Sequence, residues 1–406
     1  MKIAMMSHYF ESHRGGVEIV AGQLARAFTT LGHQVVWMAC NTTRPPADPS
    51  ICVQAIPIPA NNVLERRTGI PYPLPILGAS KQIDAAIRDA DVVLVHDGFY
   101  LPCLLAKRRS RRNGKPVVLI QHIGFVPYQS PFLRLAMTAL NRMLTRPFLA
   151  TAAQVVFISE ITRRYFSTVR FQRPAMLLFN GVDTSVFAPV ASPMDRLALR
   201  RALGLDPGRP AILFVGRFVE KKGLVHLEQM ARRRPDWDWI VAGWGPIDPN
   251  RWRLPNVHVI TDRIGPSLTP LYQTADVLVL PSVGEGFPLV VQEALACGLP
   301  VVCGDDTAMA DDAAGAYLAG VRVRLHDPVG TAEAFVAALS SIMGAAGPGE
   351  VGRMAMAAFA RARYSWAAMA LDLVAAFESV EVSALAMGDV ATSVDLRTPI
   401  GSHEMP

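Results

Sequence analysis

Short apolar runs alternate with longer amphipathic stretches along most of the chain. The runs are rich in Val, Ile and Leu without polar alternation, which is typical of parallel strands covered on both faces. The stretches between them place apolar residues three and four positions apart, as at Val17, Val20, Leu24, Phe28 and Leu31, which predicts helices with one buried face. The pattern therefore predicts an α/β fold with doubly wound parallel sheets. The predicted strands are Lys2–Met6, Gln34–Ala39, Val92–Val95, Val117–Gln121, Val155–Ile158, Met176–Phe179, Ala211–Val215, Asp238–Ala242, Val257–Ile260, Val277–Leu280, Pro300–Cys303 and Val321–Arg324.

The alternation of strands and helices is interrupted between residues 188 and 210, where Pro and Gly cluster. We therefore predict an N-terminal Rossmann-like half over residues 1–190, a linker over 191–210 and a C-terminal Rossmann-like half over 211–364. Trp366, Leu371, Val374 and Phe377 predict an amphipathic helix over residues 365–380, and residues 384–406 are predicted to be disordered. A ligand of two such halves is expected in the cleft at the carboxyl ends of the strands.

Composition narrows the class of protein. A hydrophobic fraction of 51% and a charged fraction of 18% over 406 residues fit a globular chain and exclude a disordered one. No uncharged apolar run reaches the roughly 18 residues of a transmembrane helix, and the apolar N-terminal stretch is too short for a signal peptide. The five cysteines form no C-x-x-C pair. We therefore expect a cytoplasmic protein without a disulfide framework or zinc site.

The net charge of +6 leaves two interpretations open. The basic cluster within residues 107–115 is either a solvated helix end or a patch that faces anionic lipid or a phosphorylated acceptor. The apolar segment Phe132–Leu149, with Arg134, Arg142 and Arg146, is either a membrane-facing surface or a buried helix. No nucleic-acid partner is expected, because no aromatic residues are interleaved with the charge. The cluster consists of Lys107, Arg108, Arg109, Arg111, Arg112 and Lys115.

Three loops that follow predicted strands carry candidate chemistry. Gly15-Gly16 opens the first helix, where free backbone N–H groups attract phosphate. The segment Gly216–Gly223 brings Arg217 and Lys222, which can hold a diphosphate through charge-assisted hydrogen bonds. The segment Pro281–Pro288 places Glu285 on a loop and Glu293 further on in the following helix, where carboxylates can accept hydrogen bonds from sugar and ribose hydroxyls. Taken alone, Gly15-Gly16 is also compatible with an ordinary tight turn, Gly216–Gly223 with a charged surface turn, and Glu293 with a solvated helix residue.

Taken together, the motifs resemble those of glycosyltransferase family 4, retaining glycosyltransferases with the GT-B fold of two Rossmann-like domains facing across a cleft. The resemblance runs through both halves in the expected order, over most of residues 1–380. Its segments are Gly15-Gly16, Asn180-Gly181-Val182-Asp183 with Phe187, Gly216–Gly223, and Glu285-Gly286-Phe287-Pro288 through Glu293–Val302.

The resemblance implies a role for each matching residue. Arg217 and Lys222 bind the donor diphosphate, Glu285 lies near the donor sugar and Glu293 holds the ribose. His122, otherwise a structural histidine, contacts the transferred sugar. The expected catalytic residues are thus Arg217, Lys222, Glu285 and His122. Because the basic pair already neutralises the diphosphate, we expect a metal-independent enzyme that needs no cofactor beyond its nucleotide-sugar substrate. The implied donor-binding residues are Gly16, Arg263, Ile264, Gly286, Phe287, Pro288, Leu289 and Glu293.

The sequence also departs from the family. Pro288 stands where the family often has Gly, which removes one backbone N–H. The usual glycine-rich turn is missing around Asp305, Asp306, Asp311 and Asp312, which we interpret as solvated loop residues and helix caps rather than metal ligands.

The reaction that the resemblance implies is transfer of a hexosyl group from a UDP- or GDP-linked sugar to a glycan or lipid-linked acceptor, with retained configuration. Front-side displacement is favoured over a covalent intermediate on Glu285, because no paired carboxylates have an obvious nucleophilic role. Two alternatives remain: a nucleotide-sugar epimerase of the same fold, and a non-catalytic binder of sugar nucleotides. Peripheral contact with the inner face of an anionic membrane is a further expectation.

Overall fold

The computed structural model describes residues 1–48, 50–52, 54–68, 72–76, 80–124, 131–344 and 349–393. In the N-terminal half the strands are β1 (Lys2–Tyr9), β2 (Gln34–Cys40), β3 (Gln54–Ile58), β4 (Ala60–Asn61), β5 (Leu74–Pro75), β6 (Val92–His96), β7 (Val117–Gln121), β8 (Gln154–Phe157) and β9 (Met176–Leu177). Its helices are α1 (Gly16–Thr30), α2 (Val63–Thr68), α3 (Ser80–Asp89), α4 (Leu101–Arg112), α5 (Pro131–Leu140), α6 (Arg146–Thr151) and α7 (Glu160–Tyr165).

The second half follows the same alternation. Its strands are β10 (Ala211–Arg217), β11 (Asp238–Trp244), β12 (Val257–Ile260), β13 (Val277–Leu280), β14 (Val301–Gly304) and β15 (Leu318–Val321). Its helices are α8 (Pro193–Ala202), α9 (Leu224–Arg233), α10 (Thr269–Thr274), α11 (Leu289–Ala296), α12 (Asp305–Ala308), α13 (Pro328–Met343) and α14 (Glu350–Arg363), and α15 (Trp366–Ser393) ends the described chain.

Each half is built on one parallel sheet. The N-terminal sheet has the order β3-β2-β1-β6-β7-β8-β9, and the C-terminal sheet has the order β12-β11-β10-β13-β14-β15. In both, the strand order reverses beside the first strand, between β1 and β6 and between β10 and β13. Crevices for ligands form at the carboxyl ends of strands at such reversals. The predicted doubly wound α/β fold is confirmed.

All of the predicted strands are present, and most shift by no more than three residues at an end. The last one is displaced: residues 318–321 form β15, and residues 322–324 follow it. The prediction missed β3 and the short β4–β5 pair. The reason is that β3 lies at the sheet edge, contains Pro57 and buries only Ile56 and Ile58, so it lacks a continuous apolar run.

The predicted linker contains a helix. Pro193 and the Ser192 hydroxyl, which accepts a hydrogen bond from the Asp195 backbone N–H, start α8. Arg196 and Arg200 each place a guanidinium nitrogen 2.7 Å from a different oxygen of Asp276. This segment is therefore held against the C-terminal half at the start of β13 rather than extended between the halves.

The C-terminal helix is longer than predicted. Its first turns return to the N-terminal half, where Met369, Leu373 and Phe377 are buried in that half's core. The helix continues to Ser393, so residues 384–393 are helical, in contrast to the predicted disorder. Ala, Leu and Met are strong helix formers and extend it. Residues 394–406 lie outside the described part of the chain.

The chain crosses between the halves twice, and the crossings touch. A Cβ atom on Gly181 would lie 2.3 Å from the backbone nitrogen of Trp366, so only glycine fits there. The Val182 N–H donates to the carbonyl of Tyr364 at 3.2 Å. The motif around Gly181 is thus explained by this close approach of the outgoing and returning segments.

Candidate active site between the two halves

Arg217 is the last residue of β10, at the carboxyl end of the sheet next to the strand reversal. Its guanidinium carbon lies 4.9 Å from the ring centroid of Trp244 at the end of β11. The Arg217 Nε atom is buried without a hydrogen-bond partner among the described residues. Such a donor is available to an anion that enters the site.

The Arg217 charge also reaches the opposite half. Burial opposes ionisation of Glu65 on α2, but hydrogen bonds from His13 and Tyr9 and the charges of His13 and Arg217 lower its pKa. The guanidinium of Arg217 therefore lies within electrostatic range of a carboxylate of the opposite half.

Lys222 and Glu285 form an ion pair that joins the two loops. The Lys222 Nζ atom lies 3.1 Å from Glu285 Oε1, and Lys221 Nζ lies 3.7 Å from the same oxygen. Burial lowers the pKa of Lys222, with Glu285 acting against that shift. Burial would raise the pKa of Glu285, but the two lysine charges lower it. Arg217, Lys221 and Lys222 outnumber Glu285 and the exposed Glu220 of the same loop, so the loop ends keep a positive excess.

Glycine shapes the first of these loops. Gly223 has φ +73°, and a Cβ atom there would lie 2.1 Å from the carbonyl oxygen of Pro281. The Val283 N–H donates to the carbonyl of Lys221 at 3.0 Å. The close approach brings Lys221 into the site, a residue that the motif comparison did not select. The only sequence signal for it is its place beside Lys222.

Glu293 lies in the second turn of α11 and accepts a hydrogen bond of 2.6 Å from the Tyr272 hydroxyl. Burial raises the pKa of Glu293 to about 7, although the bond from Tyr272 acts in the opposite direction. Tyr272 itself is fully buried. Glu293 is therefore a carboxyl group whose charge changes near neutral pH.

The loop before α11 meets the N-terminal half at Gly286. A Cβ atom on Gly286 would lie 2.4 Å from the carbonyl oxygen of His122. The Phe287 ring turns away into the core, 5.6 Å from the ring centroid of Tyr364, so only its backbone can face a donor. Pro288 is the residue before the helix, and Leu289 begins it.

His122, directly after β7, is buried against His96 at the end of β6. The His96 Nδ1 and His122 Nε2 atoms are 3.1 Å apart. Burial, reinforced by the His8 charge and opposed by that of Glu18, lowers the pKa of His122 to about 3. His122 is therefore neutral at physiological pH. Sequence reasoning selected His122 and missed His96.

A second polar cluster in the N-terminal half was also missed. Glu18, on the first turn of α1, lies 2.8 Å from His8 Nε2 and 3.5 Å from His13 Nδ1. His13 Nε2 contacts Glu65 Oε1 at 2.8 Å, and the Tyr9 hydroxyl donates to Glu65 Oε2 at 2.7 Å. Burial alone would lower the pKa of His13, but bonds to both carboxylates raise it to about 9.

The remaining predicted donor-binding residues lie at the rim. Gly16 is the exposed first residue of α1, and a Cβ atom there would meet nothing within 4 Å. Arg263 is half-buried and Ile264 is 46% exposed after β12. Gly16 thus follows the carboxyl end of β1, and Arg263 and Ile264 follow that of β12.

The aspartates after β14 have mainly structural contacts. Asp311 is buried, contrary to the interpretation of this group as solvated. It accepts hydrogen bonds from Arg363 and from the Tyr364 hydroxyl, and its side chain also caps the turn at Asp312–Ala314. Asp312 lies 3.2 Å from Arg164 of the other half. Among the described residues, no group of three or more His, Cys, Asp or Glu could hold a metal ion.

Two family profiles match the chain in succession. The profile described as Glycosyltransferase Family 4 matches residues 14–186, and the one described as Glycosyl transferases group 1 matches residues 209–343. The first match covers β2 to β9 of the N-terminal sheet, and the second covers all strands of the C-terminal sheet.

Curated relatives agree with this assignment. A D-inositol 3-phosphate glycosyltransferase of Mycobacterium sp. (strain KMS) is 36% identical over 157 residues, which are 34% of this chain and 35% of the relative. The chain thus covers about a third of the length of this relative. A GDP-mannose-dependent alpha-(1-6)-phosphatidylinositol monomannoside mannosyltransferase of Mycolicibacterium smegmatis is 29% identical over 325 residues, 74% of this chain and 79% of that one.

Solved structures share the fold. Sucrose-phosphate synthase from Thermosynechococcus elongatus superposes with a TM-score of 0.71 at 19% identity, covering 94% of this chain and 100% of that one. HepE from Anabaena, solved with UDP and glucose, gives 0.68 at 16% identity, with coverages of 93% and 100%. The fold is therefore GT-B. With both halves matched in order, the chain belongs to glycosyltransferase family 4.

Proposed function

We propose that this protein transfers a hexosyl group from a UDP- or GDP-linked sugar to a glycan or lipid-linked acceptor, with retention of configuration. The observation that carries the proposal is the group of cations at the strand reversal, where Lys221 and Lys222 pair with Glu285 and the charge of Arg217 acts on Glu65 of the other half. A diphosphate there would meet net positive charge in a partly buried site. Relatives named for transfer from GDP-mannose and to inositol phosphate support this class of substrate.

The cations would act on the leaving group. The acceptor hydroxyl attacks the anomeric carbon on the face from which the diphosphate departs, and the bond between that carbon and the phosphate oxygen breaks. The departing phosphate accepts the hydroxyl proton. Arg217 and Lys222 stabilise the growing charge of the diphosphate, and preorganised donors of this kind typically contribute about 10²–10³ in rate each.

No metal is needed in this proposal. In place of a divalent ion, the side-chain cations Arg217, Lys221 and Lys222 would neutralise the diphosphate. The Glu285 carboxylate is held by the lysines rather than presented freely as a nucleophile, which favours front-side displacement over a covalent intermediate. Trapping of a covalent sugar adduct on Glu285 would contradict this mechanism.

We also propose that the N-terminal half touches an anionic membrane surface. Arg108, Arg111 and Arg112 are exposed on α4, whereas Lys107 donates to the carbonyl of Pro147 and Arg109 pairs with Asp84. Phe132 and Leu135 on α5, and Met143 in the turn after it, are 79%, 71% and 70% exposed. This combination of apolar and basic side chains is typical of peripheral binding. No helix in the described chain is long and apolar enough to span a membrane.

These features support a place on the cytoplasmic face of the membrane. All five cysteines are free and buried, and none of them pairs with another. This is the pattern expected of a reducing compartment. Flotation with vesicles that contain anionic lipid, compared with neutral vesicles, tests the membrane contact. Equal recovery with both would contradict it.

The decisive experiment is a thermal-shift screen against UDP- and GDP-sugars, followed by product analysis with and without acceptor. Donor binding raises the unfolding temperature by mass action. A glycosyltransferase makes a glycosylated acceptor and releases the nucleoside diphosphate. A new nucleotide sugar formed without acceptor would indicate an epimerase, and binding without any product would indicate a non-catalytic binder.

A further inference from the structure

The two buried histidines at the carboxyl ends of β6 and β7 form an asymmetric pair. His96 is 0% exposed and His122 is 3% exposed. Their rings are roughly parallel, with a 22° interplanar angle, and the His96 Nδ1 to His122 Nε2 distance is 3.1 Å. At that distance one nitrogen donates a hydrogen bond and the other accepts it.

Both rings are neutral, so each carries one N–H. Burial lowers the pKa of His96 well below its ordinary value, as it does that of His122. The charged groups that act on the pair are His8 at the end of β1 and Glu18 on α1, and their effects on the His122 pKa are opposite. The remaining question is which ring donates.

The surroundings of His96 answer that question. Its Nε2 atom is buried and has no hydrogen-bond partner among the described residues. If His122 donated, the His96 proton would have to sit on this Nε2 as a buried N–H without an acceptor. Orphaned buried N–H groups are rarer than under-satisfied acceptors. The favourable arrangement has the His96 proton on Nδ1, donating to His122 Nε2.

We infer that His96 is a positioning residue that fixes His122 as the Nδ1-protonated tautomer, so that His122 offers an N–H donor to an oxygen of the transferred sugar. The inference rests on the proposed function for the identity of that oxygen. The His122 Nε2 atom is already engaged by His96, and Nδ1 has no partner among the described residues. The contact of the His122 carbonyl with Gly286 keeps this residue beside the donor loop.

Nuclear magnetic resonance of the full-length protein labelled with ¹⁵N in its histidine rings tests the tautomer without turnover. His122→Gln identifies the His122 signals. We expect a protonated Nδ1 and an unprotonated Nε2 on His122, unchanged between pH 6 and 9. An unprotonated Nδ1 would overturn the inference, even if a nucleotide sugar is turned over. The expected tautomer in a protein that turns over none would instead refute only the proposed function.

Kinetics test the consequence. His96→Leu removes the donor and should raise the KM for the nucleotide sugar about tenfold, the range of one hydrogen bond. His96→Asn keeps a donor near the Nδ1 position and should retain most of the affinity. In a His122→Ala background His96→Leu should have no further effect. A full additional loss there would indicate a merely structural role and overturn the inference. If His96→Leu does not fold, His96→Asn and the tautomer measurement still decide.

Discussion

The two faces of the cleft handle charge in opposite ways. On the C-terminal face, Lys221 and Lys222 pair with Glu285, and Arg217 Nε has no hydrogen-bond partner among the described residues. On the N-terminal face, Glu18 and Glu65 are held by His8, His13 and Tyr9, and His122 is neutral. Charge is therefore left available where the diphosphate would bind and is compensated on the opposite face. The difference predicts that mutations of the cations on the first face act on rate and that mutations in the Glu18–Glu65 cluster on the second act on stability.

The largest effect on catalysis is expected from a mutation of Arg217 on the C-terminal face. Arg217→Ala should lower kcat about 10²–10³-fold, because a preorganised donor to the leaving group is lost. Steady-state kinetics with saturating donor measure this. Arg251→Ala, an exposed arginine of the same half, is the matched control and should leave kcat unchanged. A loss of kcat below tenfold for Arg217→Ala would contradict the proposed stabilisation of the leaving group by this face.

Gly286→Ala tests whether the two faces must meet closely. The added Cβ atom would lie 2.4 Å from the His122 carbonyl, so the loop and the N-terminal half must separate. A displacement near 1 Å commonly costs about 10² in rate, and we expect a loss of that size in kcat/KM. Gly349→Ala, where a Cβ atom meets nothing within 4 Å, is the control. Wild-type kinetics in Gly286→Ala would show that the contact is dispensable.

The pH dependence of donor binding tests Glu293. With a pKa raised to about 7 by burial, its ionised fraction increases as the pH rises through neutrality. If the carboxylate binds ribose hydroxyls, the donor KM should fall about tenfold between pH 6 and 8, in step with the ionised fraction. Glu293→Gln should bind more weakly at pH 8 and show a flat profile. An unchanged slope in Glu293→Gln would assign the titration to another group.

The smallest effect concerns the stability of the N-terminal face. The His13 pKa is raised to about 9, above the value near 6.5 expected in the unfolded chain. Its contribution is therefore fully present below about pH 6.5 and is lost as the pH rises through 9. The wild-type unfolding temperature should decline more between pH 7 and 10 than that of His13→Gln. Parallel curves for the two proteins would contradict the proposed charge state.

The sequence predicted the C-terminal face better than the N-terminal one. Arg217, Lys222 and Glu285 lie within short loops that directly follow strands, so linear order already places them at one sheet edge. The cluster around Glu18 and Glu65 draws on β1, α1 and α2, and its geometry depends on a segment around the missed strand β3. His96 was missed because no spacing shows that β6 and β7 are neighbours. Phe287 lies within a donor motif yet packs in the core, because a motif does not show which way a side chain points.

The two segments that connect the halves touch at Gly181 and Trp366, and this contact has a consequence for the exchange of the C-terminal half. The chain enters the C-terminal half next to the point where it leaves it. There the Val182 N–H donates a hydrogen bond to the Tyr364 carbonyl. Segments whose two ends lie together are tolerated as insertions. Residues 182–364 could therefore be exchanged between relatives as one unit, because the two points at which the chain would be joined lie next to each other. Such an exchange would replace Arg217, Lys221 and Lys222 and would leave the His96–His122 pair of the N-terminal half in place.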